Sequence, residues 1–419
     1  MPKLLSIRHI ALSILSLTLT TGMAQRHEII NHEVRSLQVV ANNDWQQLPI
    51  MELGDGSVTI SFDDLTHTYR RLAYRLQHCE ADWSISTSLF DSDYCNGFVE
   101  GNTIEDVTES ILTNTLYTHY SLTLPNEHCA PKISGNYLLT VYDENNGDEP
   151  VLTACFMVIE PVAQRMGISL NMTTRTDASI NQQHQQVEME LKYANYKVTQ
   201  PMDQIHTVLL QNQRWDEARV DARPQYTMAD GLRWSHCPQY LFDAGNEYRK
   251  FEILQTDVAS MGIDHMSWDG SQYHAYPFLA QSRPNYLYDV DADGAFLIRN
   301  SDNINADNEA DYVLVHFQYT CPEPYKEPVY LNGNFTYDRF LPDYQMEYNA
   351  EQHLYECVVP LKLGYYNYQF LRQTSSSTYS YLPSEGNFYQ TENKYQALVY
   401  YREMGGRTDR LVGYNEWKP

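Results

Sequence analysis

Residues 117–160 read YTHYSLTLPNEHCAPKISGNYLLTVYDENNGDEPVLTACFMVIE, and their rhythm decides the fold class. Tyr120, Leu122 and Leu124 recur at every second position until Pro125 and Asn126 stop the run. Tyr137, Leu139 and Val141 repeat the pattern, with Leu138, Thr140 and Tyr142 on the opposite face. A period of two is the signature of a strand with one buried face. Asp143 to Gly147 carries turn chemistry, and Val151 to Ile159 is apolar on both faces, as a central strand is. The same stretch holds His119, His128, Cys129 and Cys155, which could be read as chemistry. His119 lies off the Tyr120/Leu122/Leu124 parity, so the pattern predicts that it faces solvent. His128 and Cys129 are adjacent and would point to opposite faces of a strand, which argues against a thiol–imidazole pair.

Working outward, short alternating runs fill the chain and a sustained helical period is almost absent. Ser36 to Val40, Ser57 to Phe62, Tyr69 to Gln77, Tyr117 to Leu124, Tyr137 to Tyr142 and Val151 to Ile159 make a first β-sandwich closed by Glu160-Pro161. A second series begins at Met166 and takes in Gly167 to Met172, Gln186 to Tyr193, Ile205 to Gln211, Phe251 to Gln255, Tyr286 to Tyr288 and Ala295 to Arg299, with a longer loop around Met261 to Gln281. After a polar joint at 300–310 a third series follows, from Tyr312 to Tyr401. The expectation is an all-β chain of tandem immunoglobulin-like β-sandwich domains, spanning 25–161, 166–300 and 310–404, with a C-terminal tail at 405–419. Residues 1–24 combine Lys3 and Arg8, a short apolar run from Ile10 to Leu19 and a small-x-small Gly22-Met23-Ala24 site, the pattern of a secretory signal peptide. That run is too short to span a bilayer, so direct membrane insertion is not expected.

A formal charge of −25, from 54 acids against 29 bases, argues against nucleic acid or anionic lipid as a partner. The seven cysteines include no C-x-x-C, so neither a zinc site nor a thioredoxin-like pair is signalled. A Cys79–Cys95 bridge would suit an exported, loop-rich segment. The 34 tyrosines fit sheet faces, where an apolar body carries a polar tip, and fit protein contact surfaces equally.

Asp289-Val-Asp-Ala-Asp293-Gly294 matches the opening of a calcium loop and makes Asp289, Asp291 and Asp293 candidate metal ligands. Position 12 of that loop would be Asn300 where a bidentate glutamate belongs, and Asp293-Gly294 between apolar runs predicts a hairpin turn instead. No nucleophile elbow, zincin helix or phosphate-cradling glycine loop is present, so neither an enzyme, a cofactor nor a small-molecule substrate is expected.

Val329-Tyr-Leu-Asn-Gly-Asn-Phe-Thr336 and Leu354 through Gly364-Tyr-Tyr-Asn-Tyr-Gln-Phe370 resemble the early-set immunoglobulin-like modules that bind starch and glycogen. Those modules hold sugar on exposed tryptophans, and here no Trp occurs in the domain before Trp417. A periplasmic glycan-binding protein is therefore the alternative reading.

A wider set of stretches runs in order over the chain: Tyr74-Arg-Leu-Gln-His-Cys-Glu-Ala-Asp-Trp83, Asn96-Gly-Phe-Val-Glu-Gly101, Tyr117 to Asn126, Ser134 to Leu139, Ala244-Gly-Asn-Glu-Tyr-Arg249, Asp311 to Phe317, Glu385 to Asn393 and Gly405 to Gly413. Together they resemble the plug proteins of the Bacteroidetes type IX secretion system. Additional cysteines and Glu80, where aspartate is more usual, depart from that pattern. The resemblance implies a non-enzymatic periplasmic protein that binds the periplasmic mouth of the outer-membrane translocon barrel and closes it when no substrate is passing. Asp82, Trp83, Tyr365 and Tyr366 are the candidate partner-interface residues.

Overall fold

A computed structural model describes residues 26–174 and 183–419. The expected signal peptide lies outside the described residues. The protein is all-β, built as three sandwich units. In the first, one sheet runs in the order Glu28–Ile29, Glu149–Ile159, Gly135–Asp143, Leu72–Cys79, Glu100–Thr103, with Ile50–Glu52 added in parallel to Glu149–Ile159. The facing sheet runs Val34–Ala41, Val58–Asp64, Thr118–Leu124, Asp106–Glu109. Phe62, Tyr120, Leu122, Tyr137, Leu139 and Phe156 fill the space between them.

Glu149–Ile159 explains its own composition. Leu152, Ala154, Phe156 and Val158 point into the first core, while Cys155, Met157 and Ile159 point out of it. That outer face is not wet. It packs on Val208, Leu210, Leu398, Tyr400 and Leu411 of a sheet from the middle unit. A strand sandwiched on both faces has no position where a polar side chain is free to hydrate.

The middle unit sets Gly167–Thr173, His184–Lys192, Gly231–Trp234 and Tyr226–Thr227 against a second sheet in the order Arg219–Val220, Ile205–Gln211, Tyr395–Tyr401, Arg410–Trp417. Half of that second sheet comes from the C-terminal end of the chain, across the boundaries expected at 300 and 404. The expected tail contributes the strand Arg410–Trp417, whose Leu411 and Val412 are fully buried.

The third unit folds a long open sheet over on itself, in the order Arg249–Ile253, Gly364–Ser375, Val329–Asn332, Gln345–Asn349, Leu354–Lys362, Tyr312–Thr320, Tyr273–Pro277, Ile263–Trp268. Phe251, on the first strand of this order, meets Phe317, on the sixth, with ring centroids 5.6 Å apart. Four strands from before residue 300 belong here, Phe296–Ile298 among them, and two of the four occupy the expected loop at Met261 to Gln281. The expected hairpin at Asp293-Gly294 does not form. Asp293 and Gly294 do turn the chain through positive φ, but Phe296–Ile298 pairs with Gly364–Ser375, and Tyr286 to Tyr288 are not a strand. Short-range pattern placed Phe251 to Gln255 and Ala295 to Arg299 correctly as strands and misassigned their partners, while it took Met261 to Gln281 for loop and Tyr286 to Tyr288 for strand, because pairing is decided by apolar faces distant in sequence.

Candidate functional site

Trp83 and Tyr366 are spent inside the molecule, which corrects their expected place on a contact surface. Trp83 is only 9% exposed and sits edge-on to Trp215 of the middle unit at 5.9 Å. Tyr366 is 1% exposed and stacks on Phe251 and Phe296 in the third core. Tyr365 points the other way on the same strand, half-buried against Trp45 of the first unit. Asp82 is exposed, its carboxylate accepting the Ser84 N–H and hydroxyl in a local turn.

The three aspartates of the calcium-like loop do not converge. Asp289 pairs with Lys250 at 2.7 Å, Asp291 accepts the Tyr248 and Asp293 N–H groups, and Asp293 pairs with Lys418 at 2.9 Å. Burial, reinforced by the Asp293 charge, pushes the Asp291 carboxyl up to about 7. Lysine ammonium groups hold the outer two carboxylates. No group of three His, Cys, Asp or Glu side chains converges in metal-holding geometry among the described residues.

His119 is 7% exposed, against the expectation of a solvated loop histidine. Its parity was read correctly, since it does face away from the first core. The outer face is covered by the third unit. Asp63, directly across the ladder from His119, accepts from its Nδ1 at 2.6 Å, from the Tyr312 hydroxyl at 2.6 Å and from the Lys362 ammonium at 2.6 Å. Lys362 also donates to the Asp307 carbonyl and lies 4.2 Å from the Tyr117 ring centre. Burial works to raise the Asp63 carboxyl, but Lys362 and His119 outweigh it and hold it below the usual carboxylate range. Burial likewise pulls the Lys362 ammonium down against the pull of Asp63.

Two more polar clusters lock the units together, and both are built from the stretches that carry the family resemblance. Glu80 accepts from Arg402, the Thr408 hydroxyl and the Asp409 N–H, while Asp409 accepts the Ala81 N–H and the Arg402 Nε. This joins Tyr74–Trp83 to Gly405–Gly413. Glu385, 3% exposed, takes a bidentate pair from Arg249 and a third contact from Arg283. Asn246 donates to the Glu385 carbonyl, and Asn387 accepts the Gly245 N–H, so Ala244–Arg249 and Glu385–Asn393 form one junction. Asp311 caps the Asn114 and Thr115 N–H groups at 2.6 and 2.9 Å, tying a loop of the first unit to the third.

The cysteines do not follow the Cys79–Cys95 expectation. All seven are buried, and the Cys95 sulfur faces that of Cys129 at 3.3 Å. None of these junctions was legible as a unit. Their one signal was lysine or glutamate in otherwise apolar runs, such as Lys362 closing Leu354–Lys362.

The fold and these sites define a multi-sandwich β-protein whose buried polar clusters are devoted to holding its own units in register. Residues 34–160 match the family model described as the type 9 secretion system plug protein first domain. A hypothetical protein from Parabacteroides merdae ATCC 43184, known from a crystal structure, is 38% identical over 95% of this chain and 100% of its own, with a TM-score of 0.90. The partial N-terminal region of an enterococcal surface protein matches at 8% identity and a TM-score of 0.17, which carries no argument. No curated protein matches. The chain belongs to the type IX secretion system plug family.

Proposed function

We propose that this protein is the periplasmic plug of a type IX translocon, seated on the periplasmic end of the outer-membrane barrel and obstructing it between substrates. A barrel wide enough for folded cargo leaks small solutes when both ends stand open. An obstructing body must resist being pushed apart. The observation that carries this reading is the exchange of strands between units: Tyr395–Tyr401 and Arg410–Trp417 complete the middle sandwich, and Arg249–Ile253 joins the third. Units sharing sheets cannot swing separately without breaking ladder hydrogen bonds.

The contact has to be reversible, which favours a polar rim around a few apolar anchors. Asp82 lies on an exposed loop that also presents Ile85 and Phe90, and this loop is our candidate contact. Tyr365 serves at the first–third junction in this reading.

Deletion of the gene should raise envelope permeability to small antibiotics, and the protein should co-purify with the outer-membrane barrel. Unchanged permeability in the deletion strain would overturn occlusion. Phe90→Ala with Asp82→Ala should reduce barrel recovery at least tenfold while leaving the melting temperature unchanged. Full recovery with the double variant would remove this loop from the contact.

A further inference from the structure

The first sandwich carries a reactive pair that the plugging function does not use. Cys95–Gly97 and Cys129–Pro131 form a short antiparallel ribbon with Cys95 opposite Pro131 and Cys129 opposite Gly97. The two cysteines are therefore offset by two positions in register, on the same face of the ribbon. Gly97 lies opposite Cys129 at a positive φ of 94°, and a Cβ there would stand 2.0 Å from the His128 carbonyl oxygen. The strands approach more closely than a side chain would permit, and the two sulfurs meet at 3.3 Å inside the first core.

No other pair offers this. Cys79 and Cys155 lie on strands flanking Gly135–Asp143 on either side. Two strand spacings of about 4.8 Å put them beyond the roughly 7 Å that a disulfide spans between Cα atoms. Cys321 and Cys357 point their thiols at different carbonyls, of Glu323 and Asp343.

We propose that Cys95 and Cys129 are a modification site, joined as a disulfide by a dithiol–disulfide oxidase of the envelope. Where the two sulfurs meet, the Cys95 thiol is drawn down to about 7, chiefly by its hydrogen bond with Cys129, in which either sulfur can be the donor. As the ribbon closes, a Cys95 thiolate opens the exchange. It displaces one sulfur of the oxidant's disulfide and forms a mixed disulfide. Cys129 then loses its proton and attacks the Cys95 sulfur, expelling the second oxidant sulfur. Two protein thiols become one S–S bond, and the two electrons and two protons reside on the oxidant as a dithiol. Because both thiols are buried, the exchange takes place as the ribbon closes during folding.

The bond encloses residues 95–129, a segment that exposes Phe98 and Leu112 and donates the Asn114 and Thr115 N–H groups to Asp311. It would tether an apolar, outward-facing stretch at both ends. The inference requires export to an oxidising compartment and is independent of whether the protein blocks a pore.

Full-length protein isolated from cells under acid quench, alkylated with N-ethylmaleimide in denaturant and digested, tests it. The expected map has one cross-linked peptide pair joining Cys95 to Cys129 and five alkylated cysteines. Alkylation of both Cys95 and Cys129, or either one bridged to a different cysteine, would overturn the proposal. Reduction should lower the melting temperature of the wild type by roughly 5 °C. The Cys95→Ser, Cys129→Ser double variant should melt at the reduced value and not respond to reductant. If that variant does not fold, the peptide map of the wild type decides alone.

Discussion

At the scale of single residues, Asp63 shows how far local pattern reaches. The strand Val58–Asp64 announced itself by alternation, but nothing nearby says that Asp63 will be fully buried. Its three partners His119, Tyr312 and Lys362 arrive from elsewhere in the chain. Replacing Lys362 by Met removes the buried ammonium that offsets the Asp63 carboxylate and leaves it only the His119 and Tyr312 donors, so Lys362→Met should lose about 3 kcal/mol of stability at pH 7, read by urea unfolding. The sign of the pH effect follows from the direction of the Asp63 shift. Its folded carboxyl is held below the unfolded value, so its stabilisation is present above about pH 4 and is lost as pH falls through the folded value. In Lys362→Met the largest opposing charge is gone while His119 and Tyr312 still donate, so burial weighs more heavily, the carboxyl rises relative to wild type, and acidification neutralises it more readily. The gap between wild type and variant should therefore narrow from pH 7 to pH 4. A gap that is constant or widens would contradict the account.

Among elements, Arg410–Trp417 is the instructive strand. A glycine pair at 405–406 and a short C-terminal remainder make it look dispensable. In the fold it forms the edge of the Tyr395–Tyr401 sheet and puts Leu411 against Met157 and Tyr400 in the layer between the first and middle units. It also brings Asp409 and Thr408 to Glu80. Truncation after residue 404 should leave one edge of Tyr395–Tyr401 without its ladder partner and leave Glu80 without its N–H and hydroxyl donors. The expected outcome is insoluble protein on expression; a soluble truncation with an unchanged melting temperature would refute this role. The Glu149–Ile159 strand is the opposite case. Its two apolar faces were visible in the quoted stretch, and only the identity of the second covering layer was not.

The whole molecule should unfold as one body. Sequence divides it at a polar joint near residue 300, yet strands cross that joint in both directions. Breaking the middle unit frees Tyr395–Tyr401, which is continuous with the third unit's Glu385 junction. Scanning calorimetry should give a single cooperative transition, and limited proteolysis within 300–310 should not release a stable 166–300 fragment. Two well-separated transitions would show that the units are independent. The residues of family resemblance fit this picture. Tyr74–Trp83, Ala244–Arg249, Glu385–Asn393 and Gly405–Gly413 are joints between units, whereas Asp82, at an exposed turn, contributes to no joint described above.

By itself the sequence determined that the chain is all-β and where most strands lie, because a period of two and local turn residues are properties of a few neighbouring positions, and its motifs carried the family resemblance. Tertiary structure alone decided which strands share a sheet, that His119, Trp83 and Tyr366 are interior, and that Cys95 meets Cys129. Those outcomes depend on what covers a strand's second face. That cover comes from segments tens to hundreds of residues away, and alternation along one strand carries no information about it.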